Sequence, residues 1–544
     1  MKHIKKITVL AITLIASLCM TPDLAFASAV RTNQKSAPSV TIQAGETVTL
    51  KIKNNKKKAK WTIKSGKKYI RLFSKKKRSV KVKGIRKGTA KVQCKIGTKK
   101  LTYKVKVTVK NRNIPETPKA SITPSGTPGI STVPSALPTN APLKDASGKN
   151  LSDVTTLKAL IAEQISRGAS LTEDINSDLY DWDENGNLVS INWRLKKLSG
   201  DISFAGLPSL VKLECGNNKL TNLDIHQNLM IRQLYCYDNP LTSLNVAGNQ
   251  NLEILYADGT SITELDVTNN AKLKQLSCPY TKIQHLDISK NPLLEGLWLY
   301  RCGLTSITLT NNPNLTDIDL NENPLSAIDL NQNTKLHSLY LSGCGIHQLQ
   351  LANLSELTTL YCDSNALVSL DVSHNPKLEI LDCSNNQLTT LDTSHHPHLR
   401  VLNFSNNQMC SIDVTKNPNL ITLDCSQNKF EKLDVSHNPT LKVLFCSQNQ
   451  LNKLDLTANP ELEELACSQN QLDKLDVSGK VNLVRLFCDQ NKLTSLLIRG
   501  CVSLYDFSCR ENQLTELDFT NTAVSKLGMG CDPDVTLIGV KGPQ

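Results

Sequence analysis

From Leu210 onward one arrangement of apolar and polar positions recurs every 21 residues through fifteen units, with no insertion or deletion. In the register of Leu378 to His398 (LEILDCSNNQLTTLDTSHHPH) the frame is LxxLxCxxNxLxxLDVSxNPx. Its first, fourth, eleventh and fourteenth positions are apolar in all fifteen units. The pattern predicts one short strand per unit, around positions three to seven, with successive strands stacked in parallel about 4.8 Å apart. Side chains at four and six then point into a core, while three, five and seven face the opposite, concave side. The ninth position is Asn in eleven units, with Thr260, Thr281, Cys302 and Cys344 in the others. An Asn turned inward there can bond the backbone of neighbouring coils, which buried loop amides require.

The elements around this array follow from the same kind of pattern. An imperfect earlier unit carries Leu188, Ile191, Trp193 and Leu198 at matching offsets, and the frame slips by one residue near Leu527. Before it, Asp153 to Gly168 sets Val154, Leu157, Leu160, Ile161 and Ile165 on one helical face, with Asp153 as N-cap and Gly168 as C-cap. Residues 149–209 are thus expected to cap the array, 210–526 to form its coils and 527–544 to close its far end. Residues 39–110 alternate apolar and polar positions in short runs (VTLKIK, SVKVKG, LTYKVKVTV) punctuated by glycine, the pattern of an antiparallel sandwich. Residues 111–148, rich in Pro, Ser and Thr, form a solvated spacer. The first 29 residues place basic MKHIKK before an apolar run and then AFASA, the order of a secretory signal peptide cleaved after Ala27 or Ala29.

A fixed period of this length and composition is that of a leucine-rich repeat solenoid. The predicted fold class is mainly β: about 15 regular coils plus caps, preceded by a small Ig-like β-sandwich and the linker. The sixth position is Cys in ten of the fifteen coils: 215, 236, 278, 362, 383, 425, 446, 467, 488 and 509. The remaining five are Ala257, Leu299, Leu320, Leu341 and Phe404, so the slot is apolar and Cys serves there as a small hydrophobe. Parallel neighbours place their β-carbons about 4.8 Å apart, beyond the usual disulfide range, and a column does not converge as a zinc site must. The expectation is a ladder of buried free thiols.

The 21-residue unit with its cysteine ladder resembles internalin-type bacterial surface proteins, and among them the internalin J subtype, over about residues 188–530. The resemblance implies a solenoid that binds protein or glycan in adhesion. The chain departs from that family in lacking a recognisable C-terminal sortase anchor and in carrying its Ig-like module N-terminally. The order AGETVTLKI, Trp61, GIRKGTAKVQC, LTYKVKVTV resembles bacterial Ig-like domains of group 2 and implies that Trp61 lies in a core.

Net charge of +14 conceals an uneven distribution: residues 51–110 hold 25 Lys or Arg and no Asp or Glu, so the rest sums to 14 − 25 = −11. Lys56, Lys57, Lys58, Lys75, Lys76, Lys77 and Arg78 are the candidate polyanion-binding residues, expected in loops or on sheet edges. In an exported protein their partner would be an anionic cell-wall polymer or an acidic glycan, not nucleic acid. Localisation is expected to be extracellular, secreted and wall-associated, without membrane insertion, and the chain monomeric.

Candidate ligand-binding residues lie on the concave columns. Tyr235, Tyr256, Trp298, Tyr340 and Tyr361 occupy position five, Tyr237 and Tyr300 position seven, and Tyr280 position eight. Asp258, Arg301, Asp317, Asp319, Glu322 and Asp363 lie among them, the chemistry of protein and sugar recognition. Aspartate at position fifteen in eleven coils is read as a local turn former and not a calcium column, since the glycine-rich calcium repeat is lacking. DWDENGN (Asp181 to Asn187) begins like an EF-hand loop, but its twelfth position is Asn192, so a hairpin turn is expected. His374, His395 and His437 read as solvated. No catalytic constellation rises above the repeat, so the expectation is a binding protein without cofactor, metal or catalysis. The competing reading is a structural, wall-associated spacer.

Overall fold

The computed structural model describes the strands of residues 39–108, and residues 143–540 apart from 525–528. It forms two compact units.

In the first unit the alternating runs form seven strands: β1 (Ser39–Gln43), β2 (Thr47–Lys51), β3 (Lys60–Ser65), β4 (Ile70–Phe73), β5 (Ser79–Gly84), β6 (Gly88–Ile96) and β7 (Lys99–Thr108). They make a four-stranded sheet, β1-β7-β6-β3, and a three-stranded sheet, β2-β5-β4. All pairings are antiparallel except β1 with β7. Val82 from one sheet and Val92 and Val105 from the other are fully buried, whereas Lys91 is exposed, as the alternation requires. The Trp61 side chain, the signal segment, linker residues 111–142 and the lysine runs at 56–58 and 75–78 lie outside the described residues.

The second unit is a mainly β parallel solenoid. Each coil contributes a three-residue strand at positions three to five, shorter than the periodicity suggested, and strand pairs with strand 21 residues on: Gln233↔Ile254, Ile254↔Gln275, Gln275↔Gly296. The chain then leaves the sheet at position eight through left-handed residues, among them Asp238 (φ 50°), Tyr280 (φ 57°) and Arg301 (φ 55°). That turn carries position nine inward. Asn323 shows the result: its amide donates to the carbonyls of Leu299 and Leu320 at 2.8 Å each, while its oxygen accepts from Cys302 N and Leu304 N. The core between the coils is mostly aliphatic, with Trp193, Phe404 and Phe430 among the buried rings, and ladder cysteines such as Cys383, Cys425 and Cys446 are fully buried within it.

At the N-terminal end the helix α1 (Leu151–Ser166) seals the core with Val154, Leu157, Leu160 and Ile161. Its N-cap is Asn150, whose side chain accepts from Ser152 N at 3.0 Å, and not Asp153. Asp153 is buried in the first turn and accepts from Leu188 N at 2.7 Å, because that amide, at the start of the first parallel strand, is shut off from water and needs an acceptor. Gly168, at φ 91°, ends the helix region as expected. The strands β8 (Tyr180–Trp182) and β9 (Leu188–Asn192) form an antiparallel hairpin. Asp183 closes its turn by accepting from Asn185 N and Asn187 N, so the EF-hand-like stretch is a turn. At the far end Phe507 pairs with Met529, a spacing of 22, where the frame slips.

Candidate functional site

Strand alternation turns positions three and five away from the core, and the concave columns gather the aromatic residues into groups. Tyr235 and Tyr256 meet edge-to-face at 5.2 Å, and Tyr256 reaches Trp298 at 6.2 Å across the small Ser277 between them. Tyr280 and Tyr300 pair at 4.9 Å, and Tyr340 stacks on Tyr361 at 5.2 Å with 15° between the rings. Tyr237 stands on its own backbone platform. The sequence thus brings the eight candidates onto one face but not into one cluster, since Asp319 separates Trp298 from Tyr340 in position five.

The rings are less exposed than an outward column implies. Among the eight, Tyr280 is the most open, at 52% exposure, and the other seven are half-buried. Two glycines explain part of this. A β-carbon on Gly296 would stand 2.2 Å from the Trp298 ring, and one on Gly216 would stand 2.7 Å from the Tyr237 ring, so each glycine leaves the space in which a ring lies flat. Basic groups flank the outer faces: Arg194 lies 5.8 Å from the Tyr237 centroid, Lys212 5.4 Å from Tyr235 and Arg301 5.6 Å from Tyr280. Arg301 is in turn held by Glu322 at 2.6 Å. These cation–π contacts keep the charged groups beside the rings. The sequence signal for the platforms was faint: glycine in a concave column two residues before a tryptophan, or one coil before a tyrosine.

Interleaved with the rings is a line of hydrogen-bonded carboxylates. Asp258 accepts from Ser277 Oγ at 2.5 Å, Asp363 from the Ser342 hydroxyl, and Asp382 from Ser384 Oγ at 2.7 Å and Asn403 Nδ2 at 2.8 Å. Burial pushes the Asp258, Asp319 and Asp424 carboxyls up to about 6. Burial, reinforced by the negative charge of Asp363, takes Asp382 to about 7. Burial also raises Tyr300 to about 12, so its hydroxyl stays a donor at neutral pH. The face therefore offers ring surfaces, hydroxyl donors and carboxylate acceptors.

The other sequence candidates take up plain structural roles. Position-fifteen aspartates accept from the amide two residues on, as Asp371 does from Ser373 N, Asp392 from Ser394 N and Asp434 from Ser436 N. His374, His395 and His437 are exposed. Among the described residues no group of three or more His, Cys, Asp or Glu could hold a metal ion. The repeat also carries Asn at position nineteen, and the structure turns that column inward as well, where Asn438 donates to Val414 O and Asn417 O. The lysine runs of the basic module gain no structural description, since they lie outside the described residues.

This geometry defines a leucine-rich repeat solenoid with a cysteine-bearing core column. No protein-family model matches the sequence, and no curated protein matches it. The solved functional domain of InlJ from Listeria monocytogenes, which includes a cysteine ladder, is 32% identical, with 57% of this chain and 69% of that one covered and a TM-score of 0.54. YopM from Yersinia enterocolitica is 22% identical over 75% of this chain and 94% of its own, at a TM-score of 0.49. A leucine-rich repeat protein of Leptospira interrogans is 20% identical over 62% and 91%, at 0.47. The chain belongs to the internalin-type leucine-rich repeat proteins.

Proposed function

We propose that the protein is an extracellular bacterial interaction module that recognises a protein or glycan through the concave face of its solenoid, without catalysis. The observation that carries this reading is the gathering of eight aromatic side chains on neighbouring coils of one face, where the core has no use for them. Later coils fill the same columns with Asp, Asn, Ala and mostly Ser, with Phe445 and Phe487 in position five but no Tyr or Trp, so strand preference for aromatic residues does not account for the concentration. Membership of the internalin-type repeat proteins and the exported order of the N-terminus support the same reading. The basic module, with 25 Lys or Arg in residues 51–110, would tether the protein to an anionic wall polymer or acidic glycan.

The test is a glycan and protein array probed with the full chain, followed by the triple variant Trp298→Ala, Tyr300→Ala and Tyr340→Ala against whatever ligand is found. Single aromatic hot spots contribute about 2 kcal/mol or more, so the triple variant should abolish measurable binding. Because the rings pack on one another, a modest loss of thermal stability is expected alongside. Unchanged affinity in the triple variant would move the site elsewhere, for example toward Phe445 and Phe487 in position five of later coils. An array with no ligand, together with wall association of the intact chain, would favour the structural-spacer reading.

A further inference from the structure

The core column of cysteines does not end at Cys509. In the final coil Ser508 pairs with Gly530, so the next residues in line are Cys509 and Cys531, joined through the backbone by Cys509 N donating to Gly530 O at 2.7 Å. Their sulfur atoms stand 3.6 Å apart. The shift of the last repeat to 22 residues is what brings Cys531, rather than Gly530, into the column. Two circumstances separate this pair from the rest of the ladder. Cys531 is half-exposed, whereas Cys425, Cys446, Cys467 and Cys488 are wholly buried. Its coil is also a terminal one: Met529–Gly530 pairs with Asp506–Ser508, while interior strands are fixed by a neighbour on each side.

We infer that Cys509 and Cys531 form a disulfide that staples the C-terminal coil to the solenoid when the protein meets a low-molecular-weight disulfide oxidant. A bonded pair needs about 2.05 Å between sulfurs and β-carbons closer than an interior parallel pair allows. Interior coils cannot close that gap without disturbing two ladders at once, but the end coil has to settle toward one neighbour only. The chemistry starts at the accessible sulfur. Cys531, its thiol lowered by the hydrogen bond from Cys509 against the opposing effects of burial and the Asp532 charge, attacks the oxidant as thiolate and releases one thiolate of the reagent. Cys509 then gives up its proton and attacks the Cys531 sulfur, and the second half of the reagent leaves as thiolate. Two protein thiols become one disulfide and the reagent is reduced to two thiols. The staple closes the end of an apolar core that would otherwise fray, which is the task of a terminal coil. It is independent of the ligand-binding reading.

The experiment uses the full chain purified under reducing conditions and then equilibrated with a mixture of oxidised and reduced glutathione. Alkylation, trypsin and non-reducing mass spectrometry should reveal the peptide of residues 500–510 joined to that of 527–541. Fragmentation should place the bond at Cys509 and not at Cys501, which shares its peptide. Native-state alkylation of Cys531 should vanish after oxidation with no glutathione left on it, whereas exposed Cys410 should be recovered either alkylated or as its glutathione adduct. Oxidation should raise the melting temperature of the wild type and leave the Cys531→Ser variant unmoved. Recovery of Cys509 and Cys531 as separately alkylated residues, or of Cys531 bridged to any other cysteine, would overturn the inference.

Discussion

Cys446 illustrates what a single ladder position demands. It is fully buried, and burial raises its thiol well above the ordinary value, as it does for Cys215 and Cys467, both at about 12. These groups are therefore uncharged and inert through the neutral range. Replacing Cys446 with Ser should cost on the order of 1–3 kcal/mol, since a hydroxyl has no assured partner in that slot, and denaturant melts would measure it. Cys446→Ala should cost less than Cys446→Ser if polarity is what matters; the reverse order would show that volume matters more. The concave aspartates give a second residue-scale prediction. Their folded values, about 6 for Asp258, Asp319 and Asp424 and about 7 for Asp382, lie above the ordinary carboxyl value near 3.9. The unfolded chain thus releases these protons first as pH rises. The stability they lend is complete below about pH 4 and lost as pH climbs through 6 to 7. Asp424→Asn should raise the melting temperature at pH 7 and change it little at pH 4.5, because Asn403 already fits the same column one coil earlier. An equal shift at both values would show that the effect is not electrostatic.

At the scale of the coil, a second inward column at position nineteen ties neighbouring turns through its amide nitrogens, while oxygens such as Asn438 Oδ1 accept no bond. Asn438 donates to the carbonyls of Val414 and Asn417 at 3.0 and 2.9 Å, and the pattern repeats for Asn249, Asn270, Asn291 and Asn312. At three of the five coils where the asparagine is replaced, another donor reaches the carbonyl 24 residues back: His396 to Val372, Lys480 to Leu456 and Cys501 to Val477; Leu354 leaves the slot apolar, and Thr522 bonds Phe519 O instead. A donor in this slot serves a carbonyl that is cut off from water. Asn438→Ala should therefore cost about 2–4 kcal/mol by leaving two carbonyls unpaired. Lys480 is the awkward occupant: burial lowers its ammonium below the usual lysine range. A group depressed in the folded state destabilises wherever it is charged when unfolded, so its penalty is present at neutral pH and disappears above about pH 10.5. Lys480→Asn keeps both acceptors served without a charge and should stabilise by about 1 kcal/mol at pH 7, as read from urea melts. A destabilised variant would show that the lysine stem packs better than the amide.

For the molecule as a whole, the division of charge bears on where the protein resides. On the proposed reading, the segment carrying +25, joined to a remainder of −11, would attract polyanions through residues 51–110. Among the described residues no helix is long and apolar enough to cross a membrane. Attraction through the basic module must weaken with salt, because the screening length falls from about 10 Å at 0.1 M to about 3 Å at 1 M. Washing cells in 1 M salt should release the protein, and a chain lacking residues 39–110 should appear in the medium. Immunoblots of wash and medium fractions would read both, and retention through both treatments would exclude the basic module as the tether.

The coils were legible in the sequence because their cause is local and repeated: a 21-residue spacing of apolar residues admits one way of burying them all, and fifteen copies make that spacing unmistakable. The inward cysteine column and the concave placement of Tyr235, Trp298 and Tyr361 follow from strand alternation, whereas Asn at position nine is carried inward by the left-handed turn at position eight. Caps are legible only in outline. Asp153 looks like an N-cap by type and position, yet Asn150 takes that role, because a buried amide of Leu188, 35 residues away, claims the Asp153 carboxylate. The arrangement of the binding face was likewise beyond the pattern. Which rings touch, which lie flat on Gly216 and Gly296, and which carboxylates are buried among serines depends on side-chain packing between coils. The approach of Cys531 to Cys509 is of the same kind. Period and polarity determine which face a residue occupies; contacts between residues 21 or 22 apart in sequence and adjacent in space determine what it does there.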